Sequence, residues 1–283
     1  MTPLVAVAVL VAAVTHAAWN AIAHTIHDKL AAFTLIGGGA AVIGAVIACF
    51  APLPAAAAWP YLAVSGVLHV GYQLLLMRSF SLGDFGQMYP IARGTAPLVV
   101  TIVAAVLIGE SLDAWQLAGV AVASVGLLAL ALWGIRGAAT APRGPAVSAA
   151  VATGLSIAAY TVVDGVGVRN SGSALGYLAW LMILEGVLIP AYALHSRRGR
   201  LLGQLRPHLT LGLLGAALSM FAYGLVLWAQ TRAPLAPIAA LRESSIIVGA
   251  AIGTVFFKER FGTPRIAAAG LMVVGIGLML HTS

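Results

Sequence analysis

Four ionisable side chains interrupt long apolar runs of the sequence: Arg93, Arg242, Glu243 and Glu185. At the centre of a membrane such a side chain costs at least about 2.5–3.5 kcal/mol on insertion scales, so each one marks a candidate functional site. A guanidinium can bind carboxylate or phosphonate oxygens through two parallel hydrogen bonds. The two arginines therefore indicate a site for an anionic group.

The two glutamates allow other roles. Glu243 follows Arg242 directly and projects about 100° away from it on a helix, so it need not pair with that arginine and could hold a substrate ammonium or a proton. Glu185 lies near the centre of its apolar run, where burial favours the neutral carboxyl group and makes proton carriage feasible. Alternatively, Arg93 and Arg242 snorkel to the membrane surface or form structural ion pairs with the two glutamates.

Two further apolar runs each carry a polar stripe. His16 and Asn20 are four residues apart, and His69 and Gln73 repeat that spacing, so each pair shares one helical face. Such a stripe either lines a cavity or joins neighbouring helices, and we expect it to line a cavity. Aromatic side chains that could stack on a substrate or clasp its ammonium group accompany these stripes: Trp19, Tyr72, Tyr89, Tyr160 and Tyr223. The spacing of the polar residues predicts no metal site, cofactor or catalytic residue.

The elements that position these residues must lie in lipid. The chain is 61% hydrophobic and 8% charged, with a mean hydropathy of +1.02. Continuous apolar runs, rather than alternating ones, favour a helical bundle over a barrel. The net charge of +7 does not indicate nucleic-acid binding, because most arginines lie between the apolar runs. Cys49 is the single cysteine, which excludes a disulfide within the chain.

The apolar runs predict an all-α polytopic membrane protein with ten transmembrane helices, since a span needs roughly 20 apolar residues. The predicted helices cover residues 3–23, 31–50, 60–79, 87–108, 114–134, 146–166, 174–194, 208–229, 235–257 and 264–281. Connections after odd-numbered helices hold eleven Lys or Arg residues, and those after even-numbered helices hold two. By the positive-inside rule, this bias predicts that both termini lie outside the cell.

The two halves of the sequence, residues 1–137 and 146–283, resemble each other. Residues 15–20 align with residues 156–161 at an offset of 141, and the ends of predicted helices 4 and 9 align at an offset of 149, which sets Arg93 against Arg242. Because each half has five helices, the halves form an inverted-topology repeat. Arg93 and Arg242 would then lie roughly 8 and 10 Å from opposite faces, about 12 Å apart along the membrane normal.

At these residues the chain resembles the drug/metabolite transporter superfamily, in its ten-helix EamA branch. Gly109-Glu110 resembles the turn that ends helix 4 there, with Pro97 thirteen residues earlier, whereas Ile246 replaces the equivalent proline of helix 9. The resemblance implies a cavity lined by helices 1, 3, 4, 6, 8 and 9 and a homodimer contact through helices 5 and 10. It also implies cytoplasmic termini, opposite to the charge bias. Residues 89–98 and 241–243 resemble a subgroup associated with phosphonate-utilisation genes.

These features predict a secondary transporter, since the sequence has no phosphate-binding loop of an ATP-driven pump. We expect it to move a small zwitterionic or anionic metabolite, such as an amino acid or aminophosphonate, by alternating access across the inner membrane of a bacterial cell. Proton coupling would use Glu185 or Glu243. The expected partners are the small-molecule substrate and the lipid bilayer. The alternatives are a flippase for a lipid-linked metabolite and an intramembrane enzyme, whose acid, base and nucleophile should cluster at one depth.

Overall fold

The computed structural model describes residues 1–82, 85–136, 144–249 and 263–281, which form helices and short connections without a β-strand among them. The helices in chain order are α1 (Pro3–Thr25), α2 (Lys29–Ala48), α3 (Trp59–Leu82), α4 (Phe85–Gly94), α5 (Ala96–Val103), α6 (Ala114–Arg136), α7 (Gly144–Arg169), α8 (Ala174–Arg197), α9 (Leu201–Leu205), α10 (Leu209–Gln230), α11 (Leu235–Arg242) and α12 (Thr263–Leu280). A π-helical turn, Ala104–Ile108, extends α5. A further helical segment covers residues 245–249.

The described helices are suited to a membrane. Seven are long and apolar enough to cross one: those at Pro3–Thr25, Lys29–Ala48, Ala56–Ser79, Ile91–Ile108, Gly144–Arg169, Ala174–Arg197 and Leu201–Gln230. Two shorter apolar helices cover Ala114–Ala129 and Ile266–Leu280. The chain is therefore a multi-pass membrane protein.

The helix bounds differ from the sequence-based ones mainly at the helix ends. The helix predicted at residues 146–166 begins at Gly144 and ends at Arg169. The helix is therefore two residues longer at its start and three residues longer at its end. The helix predicted at 235–257 is interrupted, because α11 ends at Arg242 and a turn precedes the segment 245–249. Residues 250–257 lie outside the described part of the chain.

The helices pack in four main pairs: α2 with α8, α6 with α12, α3 with α7, and α1 with α10. Glycine allows the closest approaches. A Cβ placed on Gly275 of α12 would lie 2.7 Å from the carbonyl oxygen of Gly119 on α6, and one on Gly44 of α2 would lie 2.8 Å from the carbonyl oxygen of Ala179 on α8. Small residues let helix backbones come together in lipid, where packing replaces the hydrophobic effect as the driving force.

Two helix interruptions lie directly after the membrane-embedded arginines. Arg93 is in the last turn of α4, and Pro97 in the first turn of α5 lacks the N–H that would bond the carbonyl four residues earlier. Arg242 ends α11, where the Glu243 N–H donates to the Ala240 carbonyl three residues back. Both interruptions lie at C-terminal ends, where the helix dipole favours a cation.

Ion pairs join the ends of the helices. Arg169 at the end of α7 pairs with Glu110 at 2.7 Å, and Arg197 at the end of α8 pairs with Asp28 at 3.0 Å. Between Ser173, the cap of α8, and Arg197 the chain runs 24 helical residues, or about 36 Å. The two ion pairs therefore lie on opposite faces of the bundle.

Candidate functional site

A cavity of about 50 Å³ lies inside the bundle, smaller than the usual ligand pocket. Helices α1, α2, α3, α7, α8 and α10 surround it. Apolar residues of α2 form one wall. Eight of the residues singled out in the sequence line the cavity: His16, Trp19, His69, Tyr72, Gln73, Tyr160, Glu185 and Tyr223.

The set of lining helices differs from the one implied by family resemblance. Helices α2 and α8, which correspond to predicted helices 2 and 7, contribute to the wall, and Glu185 of α8 is therefore not peripheral. None of the residues that the structure describes in α4, α5 or α11 lines this cavity. Helices α2 and α8 also pack closely against each other.

Arg93 lies behind the cavity wall rather than on it. It is 2% exposed, and its Nε donates a hydrogen bond to Glu243 Oε2 over 2.8 Å. Its Nη1 lies 3.3 Å from His16 Nε2, and His16 faces the cavity. The alternative of a structural ion pair is therefore realised for Arg93 with Glu243, and His16 connects this pair to the cavity.

Arg242 completes the buried charged group. It is 3% exposed, and its Nη2 donates to Thr161 Oγ1 over 3.4 Å. Its Nε has no hydrogen-bond partner among the described residues. The expectation was of two arginines acting separately at different depths. The structure instead links them, because the carboxylate that binds Arg93 belongs to the residue next to Arg242.

The His16 end of the cavity has more hydrogen-bond donors than acceptors. The Trp19 indole Nε1 lies 3.2 Å from His16 Nδ1, while Arg93 approaches the other ring nitrogen. The Trp19 N–H donates to His16 Nδ1, and the Arg93 guanidinium lies behind the other ring nitrogen of His16. The positive charge of Arg93 is therefore close to this end of the cavity. This end of the cavity suits an acceptor or an anion.

A second polar cluster, around His69, contains carboxylates instead of a guanidinium. His69 Nε2 lies 3.9 Å from Asp164 Oδ2 and 3.8 Å from Glu185 Oε2. The hydroxyl of Tyr177 donates to Asp164 Oδ1 over 2.8 Å, and the hydroxyl of Tyr223 donates to Asp164 Oδ2. Both oxygens of Asp164 therefore already accept a hydrogen bond. Two carboxylates thus converge on one imidazole at this end.

Asp164 and Tyr177 did not emerge from the sequence. Asp164 lies near the end of the predicted helix 146–166, where an acidic side chain would be solvated, but the actual helix continues to Arg169. The signal that could have found it is the apolar composition of the following residues, which carries the span further. Tyr177 is fully buried near the start of α8 and reaches Asp164 from the neighbouring helix.

Two predicted site residues do not contribute to the cavity as expected. The Asn20 amide donates to the His16 carbonyl oxygen over 2.8 Å, and Asn20 is absent from the described lining. It supports the helix instead of facing a ligand. The side chain of Tyr89 lies outside the described part of the structure. Among the described residues, no group of three or more His, Cys, Asp or Glu side chains could hold a metal ion.

The chain matches a family model and is similar to solved structures. Residues 144–281 match the model of the EamA-like transporter family. Among solved structures, a chain described as "Crystal structure of protein" matches with a TM-score of 0.70 and 18% identity, over 96% of this chain and 97% of that one. At this identity the likeness establishes the fold alone. No curated protein matches the sequence.

Proposed function

Because residues 144–281 make this chain a member of the EamA-like transporter family, a drug/metabolite type of membrane transporter, we propose that it moves a small polar metabolite across the cell membrane by alternating access. The substrate is a zwitterion or anion, such as an amino acid or an aminophosphonate. The chain acts as a secondary carrier of ten membrane helices in two inverted five-helix repeats.

The pattern of helix packing supports the inverted repeat. The repeat matches α1 with α7, α2 with α8, α3 with α10, and α6 with α12. Exchanging the members of each match turns the α1–α10 pair into the α7–α3 pair, and leaves the α2–α8 and α6–α12 pairs unchanged. All four main pairs therefore obey the symmetry. Two halves related in this way can exchange conformations and open one site to each face in turn.

The arginine contacts obey the same relationship. Arg93 contacts His16 on α1, the first helix of its own half, and Arg242 contacts Thr161 on α7, the first helix of the second half. Thr161 aligns with Asn20, one helical turn from His16. Glu243, which follows Arg242 in the second half, binds Arg93 of the first half.

The observation that carries the proposal is a cavity with the Glu185 carboxylate in its lining and with Arg93 behind His16 in its wall. Buried polar residues in membrane proteins are costly, and they persist where they face a substrate pathway. Arg93 lies behind His16 at one part of the wall, whereas the Glu185 carboxylate lines the cavity beside His69, with the buried Asp164 behind them. Such polarity suits a molecule that is itself charged at both ends.

Coupling and assembly are part of the proposal. Of the two coupling candidates, Glu243 is held by Arg93, which leaves Glu185 as the carboxylate that can meet a proton or a substrate cation. A homodimer would use the outer faces of α6 and α12, where Leu117 and Val273 are exposed. We place the protein in the inner membrane of a bacterial cell.

The alternative of a lipid-linked flippase needs a groove that guides a polar head group along the bilayer. An apolar groove does lie between α2, α8 and α10, with Ile43, Leu178 and Phe221 in its wall. The residues described as lining it include no charged side chain, so it offers a lipid head group nothing to bind. The cavity lined by His16, His69 and Glu185 has polar side chains for a water-soluble substrate.

Reconstitution in proteoliposomes tests the proposal. Purified protein should exchange radiolabelled amino acids or aminophosphonates against an internal pool. Arg93→Ala and Arg242→Ala should abolish exchange, because each removes a buried guanidinium near the part of the cavity that is proposed to bind the anionic group of the substrate. The matched control is Arg232→Ala, which removes an exposed arginine that lies over the Trp228 ring.

Each variant must elute from size exclusion as a single folded species, so that loss of exchange reports on the site. Full exchange in both cavity-side variants would remove the arginines from the mechanism. Absence of exchange by the wild type with every zwitterion and anion in the panel would contradict the proposed function.

A further inference from the structure

We propose that the cavity recognises its substrate through a positively charged amine, which Glu185 binds beside His69 and the tyrosine rings around it. The inference rests on the proposed function, since the amine site is one end of the transport cavity. It narrows the substrate class to molecules that carry a protonated amine, and it assigns to Asp164 a role as the fixed charge behind the site.

The first argument is the state of the Glu185 carboxylate. Glu185 is 8% exposed and lines the cavity, yet its Oε2 has no hydrogen-bond partner among the described residues. The nearby His69 Nε2 is 3.8 Å away, which is beyond hydrogen-bond distance. A buried carboxylate oxygen without a donor costs free energy, and a ligand N–H aimed at it would remove that cost.

The second argument is the balance of charge. Asp164 already accepts hydrogen bonds from Tyr177 and Tyr223, so its charge is stabilised by neutral donors. One imidazolium at His69 could neutralise only one of the two carboxylates that converge on it. An ammonium group placed beside Glu185 favours the ionised form of its carboxyl group, and it supplies the positive charge that a single imidazole cannot give to both carboxylates.

The third argument is the aromatic surroundings. The Tyr160 ring stacks on His69 with centroids 3.9 Å apart, and the rings of Tyr223 and Tyr72 meet His69 edge-on at 5.3 and 6.5 Å. All three tyrosines line the cavity. Tyrosine rings attract cations by their electron-rich faces, and they do so more strongly where water is excluded.

An anionic group would meet the opposite conditions at this end. It would approach Glu185 and Asp164 without an arginine, because Arg93 is engaged with Glu243 on the far side of His16. A substrate carboxylate or phosphonate therefore faces His16 and Trp19, and the amine faces Glu185. This fixes the orientation of a zwitterion along the cavity.

Pairs of compounds that differ only in the amine test this inference on the purified protein. The probes are phenylalanine with phenylpropanoate, leucine with methylpentanoate, and aminoethylphosphonate with ethylphosphonate. Binding is measured by thermal shift and by isothermal calorimetry, because a ligand that binds only the folded state raises its apparent stability. At least one amine should bind, roughly 10- to 100-fold more tightly than its partner, as expected for a charge-assisted hydrogen bond.

Glu185→Gln keeps the shape of the side chain and should remove most of that preference, so that the amine and its partner bind alike. Asp113→Asn is the matched control, since Asp113 is an exposed carboxylate at the start of α6. It should leave both affinities unchanged. The comparison of paired ligands on the wild type remains decisive even where Glu185→Gln fails to fold.

Three outcomes would overturn the amine site. Equal binding of an amine and its partner would show that the amine is not recognised. If the protein transports anions that lack an amine and binds none of the amines, the amine site is wrong but the proposed transport function stands. Unchanged amine preference in Glu185→Gln, with only the pH dependence of transport altered, would make Glu185 a proton site instead. Failure of every compound to bind or to be exchanged would contradict the proposed function as well.

Discussion

Arg93 on α4 and Glu243 after α11 form a buried ion pair in which Nε and Oε2 are 2.8 Å apart, with side chains 2% and 0% exposed. The two residues are 150 positions apart in the chain and belong to opposite halves of the sequence. Among the charged contacts between the halves that the structure describes, this pair is the most deeply buried Arg–Glu pair, and its position next to His16 places it at the back of the cavity.

The pair should be strongly coupled in stability. Arg93→Met or Glu243→Met alone leaves a buried charge without its partner, and each should lower the free energy of unfolding by about 3–5 kcal/mol. The double variant should lose less than the sum, because neither charge then remains. Unfolding in mixed micelles measures the four proteins of the cycle.

The Asp28–Arg197 pair is the control for this cycle. Both of its side chains are 34% exposed, so water screens the attraction, and its coupling should be below about 1 kcal/mol. The prediction would be wrong if the losses of unfolding free energy at Arg93 and Glu243 were additive, or if the two pairs had equal coupling energies.

Glu110 should close one face of the transporter. Its Oε1 pairs with Arg169 Nη1 at 2.7 Å, and its Oε2 accepts from the Leu235 N–H at the start of α11, also at 2.7 Å. A single carboxylate thus ties the ends of three helical segments. Glu110→Ala should open this face and raise the rate at which a cavity cysteine reacts with a reagent applied there.

The measurement uses Ser219→Cys, which places a thiol in the cavity lining, in a Cys49→Ala background that has no other cysteine. In Glu110→Ala, alkylation by a membrane-impermeant maleimide should become roughly 5- to 30-fold faster. This corresponds to a loss of about 1–2 kcal/mol in the free energy that favours the closed state of this face. Asp113→Ala, an exposed carboxylate on the same face, should not change the rate. Equal rates in the two variants would mean that Glu110 does not hold this face closed.

The contact between α6 and α12 should tolerate no added methyl group. A Cβ on Gly275 would lie 2.7 Å from the Gly119 carbonyl oxygen and 2.9 Å from the Ala123 nitrogen, both backbone atoms that cannot move aside. Gly275→Ala should lower the free energy of unfolding by about 1–3 kcal/mol, the usual cost of overpacking.

Gly270 on the same helix is the matched control, because nothing lies within 4 Å of a Cβ placed there. Gly270→Ala should be neutral or slightly stabilising, since alanine restricts the unfolded chain more than glycine does. Both variants can be compared by thermal unfolding in one detergent. Similar melting temperatures for the two would contradict the close packing of α6 and α12.

The sequence was most informative where local physics decides the outcome. Apolar runs long enough for lipid predict the helices at α1, α2 and α8 within a few residues, because backbone groups in hydrocarbon must bond within their own segment. Polar residues within the apolar runs could also be identified from the sequence, since a polar side chain in such a run has few explanations other than a site. His16, His69 and Glu185 all line the cavity.

The tertiary structure alone decided which charges meet. No spacing rule relates Arg93 to Glu243, because they come from different helices and join only when the two halves pack together. The same holds for Asp164, which becomes part of the site through hydroxyl groups donated by α8 and α10. Composition and periodicity report what one helix presents to its surroundings, whereas the partners of a buried charge depend on the angles and depths at which helices cross.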